Sequence, residues 1–222
     1  MGNLVLNGST SGQITVSPAA VAGTNTITLP AITDTMVGLA ATQTLTNKTL
    51  TSPTITGAVV STMASSVITS GTSVASTSGT SIAFSSIPSW VKRIVVMLSG
   101  VSTSGTSKII VQLGAGSPTV TGYLGAVTQV QDGGTPSGIN FSTGFNIDNT
   151  GNAAAIRYGQ IVLTLLTGNT WVEAGAISRS DSASTSTSAG VIALSGTLDR
   201  VVVTTVNGTD TFDAGTINIL YE

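Results

Sequence analysis

The sequence contains neither cysteine nor histidine. The first absence excludes a disulfide framework and any thiolate site. The second removes the commonest general base, the commonest metal ligand and the usual partner of a nucleophilic serine. Charge is also scarce, at 7% of residues against about 25% in an ordinary domain. The seven basic residues, Lys48, Lys92, Arg93, Lys108, Arg157, Arg179 and Arg200, are scattered. They form no cationic stripe for a phosphate backbone, which argues against nucleic acid as a partner. Apolar runs such as 94–98 fall far short of the roughly 20 residues that cross a bilayer, so no membrane insertion is expected. The first residues, "MGNLVLNGSTSG", lack the basic flank and apolar stretch of a secretory signal. Leu6 stands where a myristoylation signal requires Ser or Thr. The expectation is a soluble chain.

What the chain has in abundance is Thr and Ser, 38 and 29 of 222 residues, with 26 Gly. At 41% hydrophobic it can still build a core, so wholesale disorder is not expected. The first ninety residues carry only two charges, Asp34 and Lys48. Within them, "GQITVSPAA" (12–20) and "NTITLPAIT" (25–33) each alternate briefly and each is closed by a proline, Pro18 or Pro30, the pattern of short strands. The stretch "ATQTLTNKTLTSPTIT" (41–56) places Thr at nearly every second position. As an extended chain neither of its faces is apolar enough to fold on its own, and a lone strand is unstable in water. It is expected to pair with other copies of itself. The alternative is a flexible linker, a role that Ser and Gly would fill better than β-branched residues.

From residue 72 the alternation strengthens. "SIAFSS" sets Ile82 and Phe84 on one face, and "VKRIVVMLSGV" does the same with Ile94, Val96 and Leu98. "SKIIVQLG", "GYLGAVTQV", "AIRYGQIVLTLL", "WVEAGAIS", "GVIALSG", "LDRVVVTTV" and "GTINILYE" follow, each bounded by turn formers. Many short strands without helical patterning predict an all-β fold, with a C-terminal β-sandwich or jelly-roll-like head. The turns "TGNT" (167–170) and "VNGTD" (206–210) carry the Asn and Gly of hairpin connections. The expected organisation is an N-terminal β-rich region over 1–40, a threonine-rich shaft and connector over 41–71, and the head over 72–222.

Candidate chemistry is thin. Asp210 and Asp213 offer two neighbouring carboxylates of the sort glycoside cleavage uses, but on a turn they read better as turn formers. Glu173, Asp132, Asp148 and Asp181 stand isolated in the sequence. "SRSDSASTSTSAG" (178–190) has no nucleophile elbow and is expected to be a surface loop. "GAGSP" (114–118) does not continue as a phosphate loop. No catalytic residue, metal or cofactor is therefore expected. Binding is the better prospect. Among the large rings, Trp90, Trp171, Tyr123, Tyr158 and Tyr221, both tryptophans read as packing residues. The longest loop-like stretch is "QDGGTPSGINFSTG" (131–144), and loops on a rigid sandwich are where recognition concentrates. Tyr123, Asp132 and Asn140 are the candidate contacts.

"TLTNKTLTSPTI" (44–55) resembles a segment that recurs in the shafts of bacteriophage tail-fibre proteins, and "AAVAGTNTITLPAITDTMVG" (19–38) resembles the unit that precedes it there. "IPSWVKRIVVMLSGVSTSGTSKIIVQLG" (87–114) and "GTDTFDAGTINILYE" (208–222) are similar to the terminal β-sandwich of such fibres. The resemblance implies a homotrimeric virion fibre whose distal head contacts a host surface glycan or protein. Its amino end would dock on another virion protein, tail or capsid, through the apolar cluster Leu4, Val5 and Leu6. A capsid-attached head fibre or decoration protein is the second reading, and the chain's shortness and lack of a large amino-terminal anchor weigh toward it. A depolymerase is a distant third. A shaft without an intramolecular core makes assembly depend on concentration. Multi-angle light scattering at micromolar concentration should give the mass of three chains, and a stable monomer there would refute the shaft assignment.

Overall fold

The computed structural model describes residues 4–7, 9–16, 49, 51 and 68–222. The chain divides into two units, Met1–Ala58 and Val59–Glu222. In the first, β1 (Leu4–Asn7) and β2 (Gln13–Val16) form an antiparallel hairpin with Leu4 opposite Val16. The expected strand around Ile27 and Leu29, and nearly all of segment 41–71, lie outside the described residues.

The second unit contains β3 (Thr69–Ser70), β4 (Val74–Ala75), β5 (Ser81–Ser85), β6 (Arg93–Thr103), β7 (Ile109–Ala115), β8 (Ser117–Pro118) and β9 (Leu124–Gln131). It continues with β10 (Ser137–Asn140), β11 (Phe145–Asn146), β12 (Arg157–Thr167), β13 (Thr170–Arg179), β14 (Ser184–Ala193), β15 (Arg200–Thr205) and β16 (Phe212–Tyr221). No helix occurs among the described residues, so the fold is all-β as the composition predicts. A nine-stranded sheet runs β10-β9-β14-β13-β12-β6-β16-β3, with β4 also on β16. A five-stranded sheet runs β11-β7-β15-β5, with β8 on β7. Thr69 and Ser70 pair with Tyr221 and Leu220, so the head takes in residues ahead of position 72.

The two sheets share one core because their strands alternate. In β6, Ile94, Val96 and Leu98 are buried while Val95 and Met97 are half-buried. Ile161 and Leu163 of β12 join them, and Val111, Leu113, Val201 and Val203 come from the smaller sheet. Each such side chain contributes about 1.5–3 kcal/mol on burial. β7 and most of β15 are buried on both faces. For β7 this happens because residues 143–144 lie over its outer side. The Gln112 amide donates to the Thr143 carbonyl at 2.8 Å, and a Cβ on Gly144 would stand 3.0 Å from Ile110.

Two sequence expectations need correction. The serine-rich stretch 178–190 is not mainly a surface loop. Its second half enters β14, a ten-residue strand between β9 and β13, with Ser184, Ser186 and Ser188 buried and Thr185 and Thr187 exposed. Of these, Ser188 donates to Glu173 at 2.7 Å, whereas Ser184 Oγ is buried without a partner among the described residues. The second correction concerns 206–210. Thr167 pairs with Thr170 around the two-residue turn Gly168-Asn169, a hairpin as expected, but β15 and β16 belong to different sheets. The 206–210 turn therefore carries the chain from one sheet to the other.

The inner face of the larger sheet also holds a glycine with no room for a side chain. A Cβ on Gly175 would come within 2.4 Å of Ile161 Cγ2 and 2.8 Å of the Gln160 carbonyl oxygen. Gly175→Ala forces the sheet or Ile161 to shift, an overpacking cost of about 1–3 kcal/mol. Urea unfolding should show a lower midpoint with an unchanged slope, and an unaltered midpoint would contradict the packing described.

Candidate functional site

A cleft of about 350 Å³ opens beside the β6–β7 turn. Thr106, Ser107 and Lys108 line one side together with Val206, and residues 139–143 line the other, with Asn146 also in the wall. The first side is held by cross-bonded turns. Asp210 accepts from the Ser107 backbone N–H at 2.8 Å and from the Asn207 amide at 2.7 Å. The Asn207 N–H donates to Ser107 Oγ at 3.0 Å, and Asn207 Oδ1 accepts from the N–H groups of Thr209 and Asp210. Ser104 and Thr211 bond each other through backbone and side chain. A Cβ on Gly105 would overlap the Asp210 carboxylate, so only glycine lets that carboxylate sit where it does.

The second side is held from behind. Phe141 N–H donates to the Gly125 carbonyl at 3.1 Å, Tyr123 N–H donates to Ser142 O at 3.3 Å, and Thr143 O takes the Gln112 bond. Phe141 and Phe145 meet edge to face at 5.8 Å. Among the lining residues Ser107 also belongs to the frame, through its bonds to Asp210 and Asn207; other polar side chains of the lining are free. No hydrogen bond engages the side chains of Asn140, Ser142, Thr143 or Asn146 among the described residues, and Asn146 is only 3% exposed. Arg93, Arg157, Arg179 and Arg200 each have a carboxylate partner, whereas Lys108 has none among the described residues.

The residues singled out from sequence divide sharply. Asn140 is exposed and lines the cleft. Asp132 is exposed in the β9–β10 turn, its N–H donating to the Ala183 carbonyl. Asn140 pairs with Ala126 near the opposite end of β9, six residues and about 20 Å of extended strand away. Tyr123 is no surface contact at all. Its ring is fully buried, edge-on to Phe145 at 4.9 Å, and its hydroxyl accepts from Leu113 N–H at 2.8 Å. Burial pushes its pKa up to about 12, against the Leu113 bond, which lowers it. The amphipathic ring suits a core corner where one backbone N–H needs an acceptor. Nothing in the sequence marks Lys108 and Asn146 as neighbours, since Lys108 lies in the β6–β7 turn and Asn146 in β11. Val5 and Leu6 lie exposed on β1. Asp210 serves the turns as expected, whereas Asp213 lies in β16 and accepts from Ser102 Oγ of the neighbouring strand β6. Trp171 is buried, while Trp90 remains 39% exposed against Tyr221.

A buried polar seam gathers on the connection between β11 and β12. Arg157, with no exposure, bonds Asp148 through Nε at 2.5 Å and donates to the carbonyls of Ala155 and Thr150. Burial pushes the Asp148 pKa up while the Arg157 charge and hydrogen bond oppose it. Thr150 Oγ1 donates to Gln129 and accepts from Arg179, which pairs with Asp181. On the same sheet face Glu173 is 2% exposed; its Oε1 accepts from Ser188 Oγ at 2.7 Å and its Oε2 has no partner. Desolvation lifts the Glu173 pKa from 4.5 to about 7, with the Ser188 bond opposing.

A carboxyl that holds its proton more tightly folded than unfolded stabilises the fold fully below the unfolded pKa. That contribution fades as pH rises to the folded pKa. Between pH 4.5 and 7 Glu173 should therefore cost stability with rising pH, up to about 3 kcal/mol. Glu173→Gln should flatten this slope in chemical denaturation and leave the variant the more stable above pH 7. Identical slopes in both proteins would contradict it.

Family models, curated proteins and solved structures give no match to this chain.

Proposed function

We propose that the protein is a non-enzymatic, homotrimeric bacteriophage fibre carried on the virion surface, and that its C-terminal head adheres to the host cell surface. The observation that carries the adhesive reading is the cleft beside Lys108. Its frame is rigid while its inward-facing polar groups are unoccupied, the arrangement of a preformed recognition site. The resemblance of 44–55 to fibre shafts supports the virion assignment, and the all-β head suits the distal end of such a fibre. The carboxylate beside the cleft, Asp210, is engaged in holding the rim, which favours binding over hydrolysis. The exposed Val5 and Leu6 of the amino-terminal hairpin suit docking on another virion protein, by strand addition or apolar insertion.

A specific observation favours the second reading, a capsid-attached fibre or decoration protein with a mainly structural role. The outward positions of β9, β14, β13 and β12 hold no charged side chain, and they present Leu124, Val130, Val162, Val172 and Val191. An uncharged face with aliphatic side chains suits contact with protein more than with water.

The two readings place the contact on different faces. Ser142→Trp fills the cleft and should reduce binding of fluorescent trimer to host cells at least about tenfold. Thr185→Lys, on the outer sheet face, should leave cell binding unchanged. The reverse pattern would move the contact to the sheet face, and antibody label on capsid vertices or faces instead of the tail would support the structural role.

A further inference from the structure

We infer that the head's cleft takes an acidic sugar, a pyranose ring carrying a single carboxylate, with Lys108 as the counter-ion and Asn146 reading a ring hydroxyl. The inference rests on the adhesive reading and names its ligand class.

Three features set the chemistry. The first is charge. Lys108 is half-buried in the cleft wall, and no carboxylate neutralises it among the described residues, although all four described arginines are paired. A half-buried ammonium without a partner favours an incoming anion, because the local dielectric is below that of water. One lysine is a point charge without the planar fork that grips phosphate from two sides. It fits a lone carboxylate better than a phosphate diester or a polyanion.

The second is the amide of Asn146. Its residue is 97% buried by the complement of its 3% exposure, it lines the cleft, and its side chain bonds to no described group. It is also absent from the sealed polar atoms that lack partners, so its amide meets the cleft space. A buried amide costs free energy until both its donor and its acceptor are used. A vicinal pair of sugar hydroxyls, each donor and acceptor, satisfies an amide in a way that a simple anion cannot.

The third is the mixture of surfaces. Ile139 and Val206 supply apolar area for the C–H face of a pyranose, while Asn140 and Ser142 add polar groups at the mouth. The volume of about 350 Å³ is at the low end for ligand sites and matches one or two sugar rings instead of a folded protein loop.

The test uses the full-length protein with methyl β-glucuronide and its neutral counterpart, methyl β-glucoside. Saturation-transfer NMR detects contact and calorimetry measures affinity. The glucuronide should bind about tenfold more tightly than the glucoside, the scale of one charge-assisted bond, and added salt should shrink the difference. Lys108→Gln should abolish the preference while leaving the melting temperature unchanged. The isosteric Asn146→Asp sets a carboxylate facing the ligand and should weaken the glucuronide more than the glucoside. Absence of glucuronide binding, equal affinity for both sugars, or a preference that survives Lys108→Gln would overturn the inference. If any of these occurs while Ser142→Trp still abolishes cell binding, the ligand class is wrong and the adhesive reading stands. If Ser142→Trp leaves cell binding intact, the adhesive reading itself has failed.

Discussion

The cleft side of the head hangs on one buried guanidinium. Arg157 has no solvent exposure, and its donors reach Asp148, Thr150 and Ala155, so a single side chain gathers the connection between β11 and β12. That connection is needed because the nine-stranded sheet has more strands than its five-stranded partner. The inner face of β9, β13 and β14 then requires another cover, and a loop cannot supply one without satisfying its own backbone. Arg157 does this for two of the carbonyls. Removing one partner of such a buried pair leaves an uncompensated charge, which costs about 3–5 kcal/mol. Asn146 and residues 139–143 sit just ahead of this anchored stretch, so the cleft inherits its rigidity.

The seam gathers four charged side chains of a chain poor in charge, Asp148, Arg157, Arg179 and Asp181, while Glu173 stands apart on the same sheet face. Ser184, Ser186 and Ser188 line the same face. The outer face of the same strands carries Thr, Ala and Val. Ser188 facing inward satisfies the Glu173 carboxylate, whereas Ser184 Oγ is buried without a partner among the described residues, at a cost in free energy.

Much of the fold was legible in the sequence. Ile82 and Phe84, and Ile94, Val96 and Leu98, alternate in the sequence and are buried in the same pattern, because period 2 leaves a half-buried strand little choice. The row Ser184-Thr185-Ser186-Thr187-Ser188 has that same period. Its polarity points to a loop while its alternation is that of a strand, and the buried Glu173 carboxylate that Ser188 bonds is visible only in the fold. Tyr123 misled for a related reason. A ring with a polar tip fits a binding surface and a core corner equally well, and the deciding partner, Leu113 N–H, is brought to it by the fold. Of the site, Asn140 was legible because it ends a Gly- and Ser-rich stretch. Lys108 was visible only as a scattered charge, and Asn146 not at all, since their meeting is a property of the sheet-to-sheet connections.

Apart from Ser107, which belongs to both, the frame of the cleft and its lining are built from different side chains. Asn207, Asp210, Ser104 and Thr211 lace two turns together, and the opposite wall is tied through main-chain groups. The side chains of Asn140, Ser142 and Lys108 take no part in either. Such a division of labour makes the site evolvable, because substitutions at the lining leave the scaffold intact. On the proposed adhesive reading, a changed receptor could be met by substituting the lining one residue at a time while the scaffold is kept.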